Sequence, residues 1–260
     1  MNLQMDYSLA ARFTSASQQA RVVTESWAQE NLYCVGCDSE RLSAVPTNTQ
    51  VVDFRCERCS ASFQLKSQCA PFGNRITDSG YDAMCRAIRE DRYPNLIALH
   101  YDRSDWCVRN VILIPSFGFS LASVEKRKPL GPSARRAGWI GCNILLSSIP
   151  DDLRLPLVTD SRKADSAVVR EHYRVMSTLR SMDVSSRGWL IDVLNVARSI
   201  NKQEFHLSEM YSQDKHLRTL HPKNFHIRPK IRQQLQKLRD MGLLTFIGEG
   251  NYRWSSTAVR

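Results

Sequence analysis

Val51-Val-Asp-Phe-Arg-Cys-Glu-Arg-Cys-Ser-Ala-Ser-Phe-Gln-Leu-Lys66 is the stretch from which the rest of the chain is read. Its ends, Val-Val-Asp-Phe at 51–54 and Phe-Gln-Leu-Lys at 63–66, are short apolar runs of the kind that form β-strands. Residues two apart in a strand project to the same face, so Gln64 and Lys66 leave together. If the two runs are neighbours, Asp53 meets them across the sheet. The pattern of Asp, an eleven-residue step to Gln64 and then Lys66 brings a carboxylate, an amide and an ammonium to one place. Alone, it also fits an ordinary solvated strand face.

Between those runs lies half of a second pattern. Cys34-Val-Gly-Cys37 and Cys56-Glu-Arg-Cys59 form a CxxC-x18-CxxC array. Each pair chelates from a tight turn, and four thiolates satisfy tetrahedral Zn²⁺. With all four ligands Cys, the site is closed and structural. Cys69, Cys85, Cys107 and Cys142 have no pairing logic and are read as core or incidental. His216, His221 and His226 recur every five residues, which misses the helical face that chelation requires.

Outward from this centre, residues 17–30 read as a helix with Ala20, Val23 and Trp27 on one stripe. Residues 78–90 read as a second helix. Residues 95–101, 108–115 and 155–158 are buried strands, 127–141 an irregular loop, and 164–182 a helix. Strands mixed with helices predict an α/β domain over 1–182. Turn residues at 183–188 mark a boundary, and the remainder, 183–260, changes character. Helices are predicted over 189–200, 207–220 and 226–241, with Gly242 as a C-cap. The run Leu243-Leu-Thr-Phe-Ile-Gly-Glu-Gly-Asn-Tyr-Arg-Trp254 reads as a hairpin. Three helices and a hairpin predict a winged helix-turn-helix whose third helix reads DNA. Trp189 belongs to its core.

Charge agrees. The chain has 260 residues, 36 Lys and Arg against 26 Asp and Glu, and a net charge of +10, which favours an anionic partner, nucleic acid first. The basic residues cluster: five with no acid in 126–136, seven with no acid in 218–239. No run approaches the 18 apolar residues of a membrane span, and no secretory leader is evident. The expectation is a cytoplasmic monomer, with no membrane partner, in which Cys serves as thiol or metal ligand.

The Asp53, Gln64, Lys66 arrangement resembles the PD-(D/E)xK nuclease core, with Gln in place of the acid. Further blocks extend the likeness. Cys34-x-x-Cys37, Val-x-Asp53-Phe, Cys56-x-x-Cys59, Leu65-Lys-Ser67, Arg127-Lys-Pro-Leu130, Ala134-Arg-Arg-Ala-Gly-Trp-Ile-Gly-Cys-Asn143, Ser185-Ser-Arg-Gly-Trp189 and Lys230-Ile-Arg-Gln-Gln-Leu235 together resemble DpnI-type restriction endonucleases, the dam-replacing family. The match spans about residues 17–254.

The resemblance implies an α/β PD-(D/E)xK nuclease with a four-cysteine zinc-binding insertion and a C-terminal winged helix. It also implies a Mg²⁺-dependent type II endonuclease that cuts both strands of duplex GATC when the adenine carries an N6-methyl group. Asp53, Gln64 and Lys66 become the catalytic trio, with Asp53, Gln64 and the Leu65 carbonyl as Mg²⁺ ligands. Cys34, Cys37, Cys56 and Cys59 hold zinc. A hard cation needs oxygen donors; it activates water and neutralises phosphate charge, while the Lys orients that water or stabilises the transition state. The departure is Gln64, whose amide oxygen ligates a cation without bringing charge; Glu25 is a candidate extra ligand. Arg127, Lys128, Arg135, Arg136, Trp139, Asn224, Arg228, Lys230, Arg232 and Gln233 are the expected DNA contacts. Arg and Gln suit guanine and adenine edges, and Trp139 suits the methylated base. The competing readings are a non-cleaving methyl-DNA-binding regulator and an RNA-binding zinc protein.

Overall fold

The computed structural model describes residues 1–46 and 51–255. Helix α1 (Ala16–Asn31) buries Val23, Trp27 and Ala28, the stripe expected from the sequence. It leads through the first Cys pair to β1 (Ser43–Ala44). Of the expected 51–54 strand only Phe54 is extended in the sheet: β2 is Phe54–Arg55, and residues 51–53 lie outside it, Val51 in a turn with a left-handed φ of 64°. After the second Cys pair come β3 (Ser62–Gln68), β4 (Arg75–Gly80), α2 (Tyr81–Arg89), β5 (Asn95–Asp102) and β6 (Cys107–Ile114). Strand β7 (Val124–Lys126) and β8 (Gly141–Leu145) flank the basic loop. The half closes with β9 (Leu155–Thr159), β10 (Arg162–Lys163) and α3 (Ser166–Met176).

Two sheets result. One has seven strands in the order β1-β2-β3-β5-β6-β9-β10, and the other is β4-β8-β7. Strand β5 is buried from Asn95 to Tyr101 and pairs in parallel with β3, Gln64 opposite Leu96 and Lys66 opposite Ala98. The fold is therefore mixed α/β. One expectation fails here. Residues 78–80 belong to β4, not to a helix over 78–90, because this segment pairs with β8 and α2 starts only at Tyr81. The 164–182 helix is also shorter, passing at Ser177 into a 3₁₀ turn.

Helix α4 (Val184–Ser199) starts inside the expected boundary, with the Asp183 carboxylate accepting from Ser186 N at 2.9 Å. This is an N-cap that satisfies an otherwise orphan donor. It is buried nearly all round because both halves pack on it. Asp192 accepts from Ser120 Oγ at 3.0 Å and meets His221 Nε2 at 2.9 Å. Asn195 donates to Ser147 O, Arg198 reaches Asp152, and the buried Arg187 pairs with Asp91. Trp189 stacks on His221, centroids 3.6 Å apart.

Beyond α4 lie β11 (Glu204–His206), α5 (Leu207–Tyr211), α6 (Asp214–Leu220) and α7 (Ile227–Asp240). The expected 207–220 helix is thus two helices, broken at Ser212–Gln213. Helix α7 buries Ile227, Ile231, Leu235 and Leu238 and ends in a Schellman motif. There Gly242 takes φ 76°, Leu243 N donates to Leu238 O, and Gly242 N donates to Arg239 O. The wing, β12 (Leu244–Gly248) and β13 (Asn251–Trp254), turns through Gly248, Glu249 and Gly250, all left-handed. Strand β11 joins it as a third strand. Among the described residues no helix is long and apolar enough to cross a membrane.

The Arg187 guanidinium is almost wholly buried, and Asp91 is its carboxylate partner. Asp91→Asn keeps a residue that tolerates the left-handed φ of 54° but leaves the buried cation without a counter-charge. We expect a loss of about 3 kcal/mol, read as a fall in melting temperature; an unmoved midpoint would remove the pair from the interface that α4 holds together.

Candidate functional site

The four cysteine Sγ atoms lie within 4.8 Å of one another, Cys34 to Cys59 at 3.6 Å and Cys37 to Cys56 at 3.5 Å, with no disulfide. A tetrahedron of thiolates about 2.3 Å from a metal has edges of about 3.8 Å, so the cluster could hold zinc. Cys34 and Cys37 follow α1; Cys56 and Cys59 make the turn between β2 and β3. Burial pushes the Cys34 thiol up. Burial also acts upward on Cys56, but the backbone N–H groups of Cys59 and Arg58 outweigh it and bring that thiol down to about 6. Arg170 of α3 donates to Cys34 O at 3.1 Å and to Ser39 O, which fixes the knuckle against the domain.

That turn places Asp53. Its N–H donates to Phe63 O at 2.9 Å, and its Oδ2 accepts from Leu65 N at 2.8 Å. Strand β2 begins only at the next residue, Phe54, so beyond its first pair with β3 the carboxylate takes the ladder position that a preceding strand residue would fill. In an extended strand the N–H and C=O of one residue point to the same edge, so the Leu65 carbonyl faces the same gap. A cleft of about 290 Å³ opens beside it, lined by Asp53, Val52 and, from α1, Arg21, Glu25 and Gln29. Glu25 is held by Arg21 at 2.8 Å.

Gln64 and Lys66 leave β3 on one face; Leu65 and Ser67 leave on the other, where Ser67 Oγ lies 3.1 Å from Thr24 Oγ1 of α1. On the Gln64 face the structure adds two residues that the sequence reading missed. Asp78, on β4, has a fully buried side chain whose Oδ1 lies 2.7 Å from Lys66 Nζ. The same oxygen accepts from Gln64 Nε2 at 3.3 Å. Tyr93 Oη stands 2.7 Å from Asp78 Oδ2 and 3.0 Å from Gln64 Oε1. A phenol has one proton to give, and the carboxylate is the nearer and charged acceptor. Burial first, and the Asp78 carboxylate second, hold the Tyr93 phenol well above its ordinary range. Gln64 is only 4% exposed, whereas the Lys66 side chain is 28% exposed. Gln64 and Lys66 thus meet on Asp78, and Asp53 joins them through the Leu65 backbone. Among the described residues no side-chain hydrogen bond links Asp53 to either.

Two adjacent β-branched residues, Ile76 and Thr77, ahead of Gly80 were the one weak strand signal near Asp78. The expected helix over 78–90 masked it.

The DNA-contact candidates divide. Arg127, Lys128, Arg135 and Arg136 are exposed on the loop between β7 and β8. That loop is more ordered than expected: Leu130 N donates to Trp139 O and Arg127 N to Gly141 O. The Trp139 indole lies against Gly80 and Gly141, paired residues of β4 and β8. A Cβ at Gly141 would meet its ring at 2.9 Å, so Gly141 makes room for the indole, while Gly138 supplies a left-handed turn at φ 78°. Arg136 stacks over that ring at 4.6 Å. In the helix-turn-helix, Arg228, Arg232 and Gln233 are exposed on α7, Arg228 paired with Asp214 and Arg232 donating to Tyr211 Oη. Lys230 turns the other way, over the Trp189 ring. Asn224 Oδ1 accepts from His226 N at 2.8 Å, fixing the turn into α7. That turn presents Phe225, 79% exposed, a residue the sequence reading passed over.

The Dam-replacing family (DpnI) matches residues 1–182, and the Dam-replacing helix-turn-helix domain matches residues 185–254. The chain belongs to the Dam-replacing family. Membership makes it a restriction enzyme of the methyl-directed nuclease kind, and the helix-turn-helix domain makes DNA its partner.

The four-cysteine site generates a stability prediction. Metal at such a site contributes about 10–16 kcal/mol in zinc-finger peptides. Chelation, or Cys34→Ser, is expected to lower the melting temperature sharply, with zinc content measured in parallel. Full stability in metal-free protein would rule out a folding role for the cluster.

Proposed function

We propose that the protein is a Mg²⁺-dependent type II endonuclease that hydrolyses both strands of duplex GATC carrying N6-methyladenine, with 1–182 as the cutting domain and 183–260 as a reading domain. The observation that carries this reading is β3 itself. One strand offers Gln64 and Lys66 on one face and has the Leu65 N–H bonded to Asp53 at its edge. Asp53, the Leu65 carbonyl and Gln64 Oε1 are the oxygen donors that would hold Mg²⁺, with Glu25 across the cleft. Bound there, the ion would supply a Lewis acid and an activated water. Lys66 stabilises negative charge as the water oxygen bonds to phosphorus and one bridging P–O bond breaks. The water's protons pass to solvent and to the leaving oxygen. Zinc on Cys34, Cys37, Cys56 and Cys59 has a structural role, since no ligand position is left open.

The exposed cations at 127, 128, 135 and 136 and on α7 suit phosphate contacts, which position without specifying sequence. Arg232, Gln233 and Asn224 suit base edges, Trp139 the methylated base, and Phe225 an apolar contact with a base or its methyl.

A second reading, binding without cutting, has one observation behind it: Gln64 brings no charge and is already hydrogen-bonded in a buried cluster. Methylated and unmethylated plasmid incubated with Mg²⁺ separates the two. Cleavage of methylated DNA alone is the expected result; binding without cleavage would favour the regulator. Asp53→Ala and Lys66→Ala are each expected to abolish cutting and leave affinity near normal, and equal loss of both properties would argue against these roles. The logarithm of affinity should fall by ~0.9 per phosphate neutralised as log salt rises, and a flat response would remove the electrostatic premise. Phe225→Ala should weaken duplex binding by about 1 kcal/mol in anisotropy titrations with an unmoved melting temperature; undiminished affinity would take the ring out of the interface.

A further inference from the structure

Among the buried polar groups, the set around Asp78 stands apart from the ion pairs that hold the fold together. Asp152 with Arg198 and Arg187 with Asp91 join one half of the molecule to the other. Asp78 instead spends both of its oxygens on one strand's functional face and on the Tyr93 phenol. Oδ1 takes Lys66 Nζ at 2.7 Å and Gln64 Nε2 at 3.3 Å; Oδ2 takes Tyr93 Oη at 2.7 Å. The Asp78 side chain is fully buried and Tyr93 is 4% exposed. Tyr93 is itself fixed, edge-on to the Phe119 ring at 4.7 Å.

The geometry points to Asp78, braced by Tyr93, as the positioning residue that aims Lys66 and Gln64 in the cleavage reaction. This rests on the nuclease reading above. Lys66 is a flexible four-carbon chain with an ammonium that has no directional preference of its own. A buried, charge-assisted hydrogen bond removes that freedom before DNA arrives. The same carboxylate fixes the orientation of the Gln64 amide. With Nε2 donating to Asp78, Oε1 is turned toward the Tyr93 hydroxyl, 3.0 Å away, so both ends of the amide have a fixed place. Asp78 touches neither substrate nor metal in this scheme, because both of its oxygens are occupied by protein donors. Its effect passes through the two residues it holds.

The decisive variant is Asp78→Asn in the full-length protein. It keeps the side chain's size and the acceptor for Tyr93 but removes the charge that holds Lys66. Cleavage of dam-methylated duplex is followed by steady-state kinetics, duplex affinity by anisotropy, and folding by thermal melting. We expect kcat to fall about 100-fold, the scale of a small misplacement of a catalytic group, with KM and affinity within about twofold of wild type. Tyr93→Phe, which loosens the brace without touching the charge, should fall about 10-fold by the same measure. Wild-type kcat in Asp78→Asn overturns the proposal while leaving the nuclease reading intact. A loss shared by kcat, affinity and melting temperature also overturns it, as the mark of a structural role alone. Wild-type protein that binds but never cuts removes both readings at once.

Discussion

The period of two in a β-strand is the constraint on which the site depends. Strand β3 is held in parallel by β5, itself buried along nearly all its length, so β3 cannot slip without turning its whole side-chain set over. That fixed register sends Gln64 and Lys66 together toward β4 and sends Leu65 and Ser67 toward α1. The edge of the strand then becomes a third surface, because β2 begins only after Asp53 and the Asp53 carboxylate closes on Leu65 N in its place. Two faces and one edge of a single strand thereby carry three different tasks.

The thiolate cluster belongs to the same argument. Asp53 is three residues from Cys56 and lies on the arm that the second Cys pair anchors. The cluster joins this arm to the end of α1, the helix that also carries Glu25, and Arg170 ties the first knuckle to α3. A metal held by those four sulfurs would therefore fix the position of an acidic side chain elsewhere without entering any chemistry itself.

Much of this was legible in the residues because it is local. CxxC turns, the Gly242 cap, the stripe on α7 and the Gly-Glu-Gly turn of the wing are each set by neighbours a few positions away, and all appear where expected. Asp78 was hidden for the opposite reason. Its partners, Lys66, Gln64 and Tyr93, are not far off in sequence, but the segment that carries it is a strand only because it pairs with β8, a contact between segments more than sixty residues apart. The helix expected over 78–90 absorbed it. The same is true of α4. Turn-forming residues at 183–188 marked a boundary, yet Asp183 caps the helix there and Arg187 is buried within it. Long-range burial decided both, and no local propensity encodes that.

Helix α4 finally determines how the two halves can share a duplex. Partners on a floppy tether meet with a probability that falls as the tether lengthens. Here the connection is a helix whose surface is core to both sides, with Ser120 and Ser147 bonded to it from one half and His221 from the other. Separation and relative heading of the Asp53 cleft and the wing are thus properties of packed atoms. If, as proposed, the wing docks on a duplex and cutting occurs in the cleft beside Asp53, the approach of that cleft is preset by packing rather than by diffusion of a swinging arm.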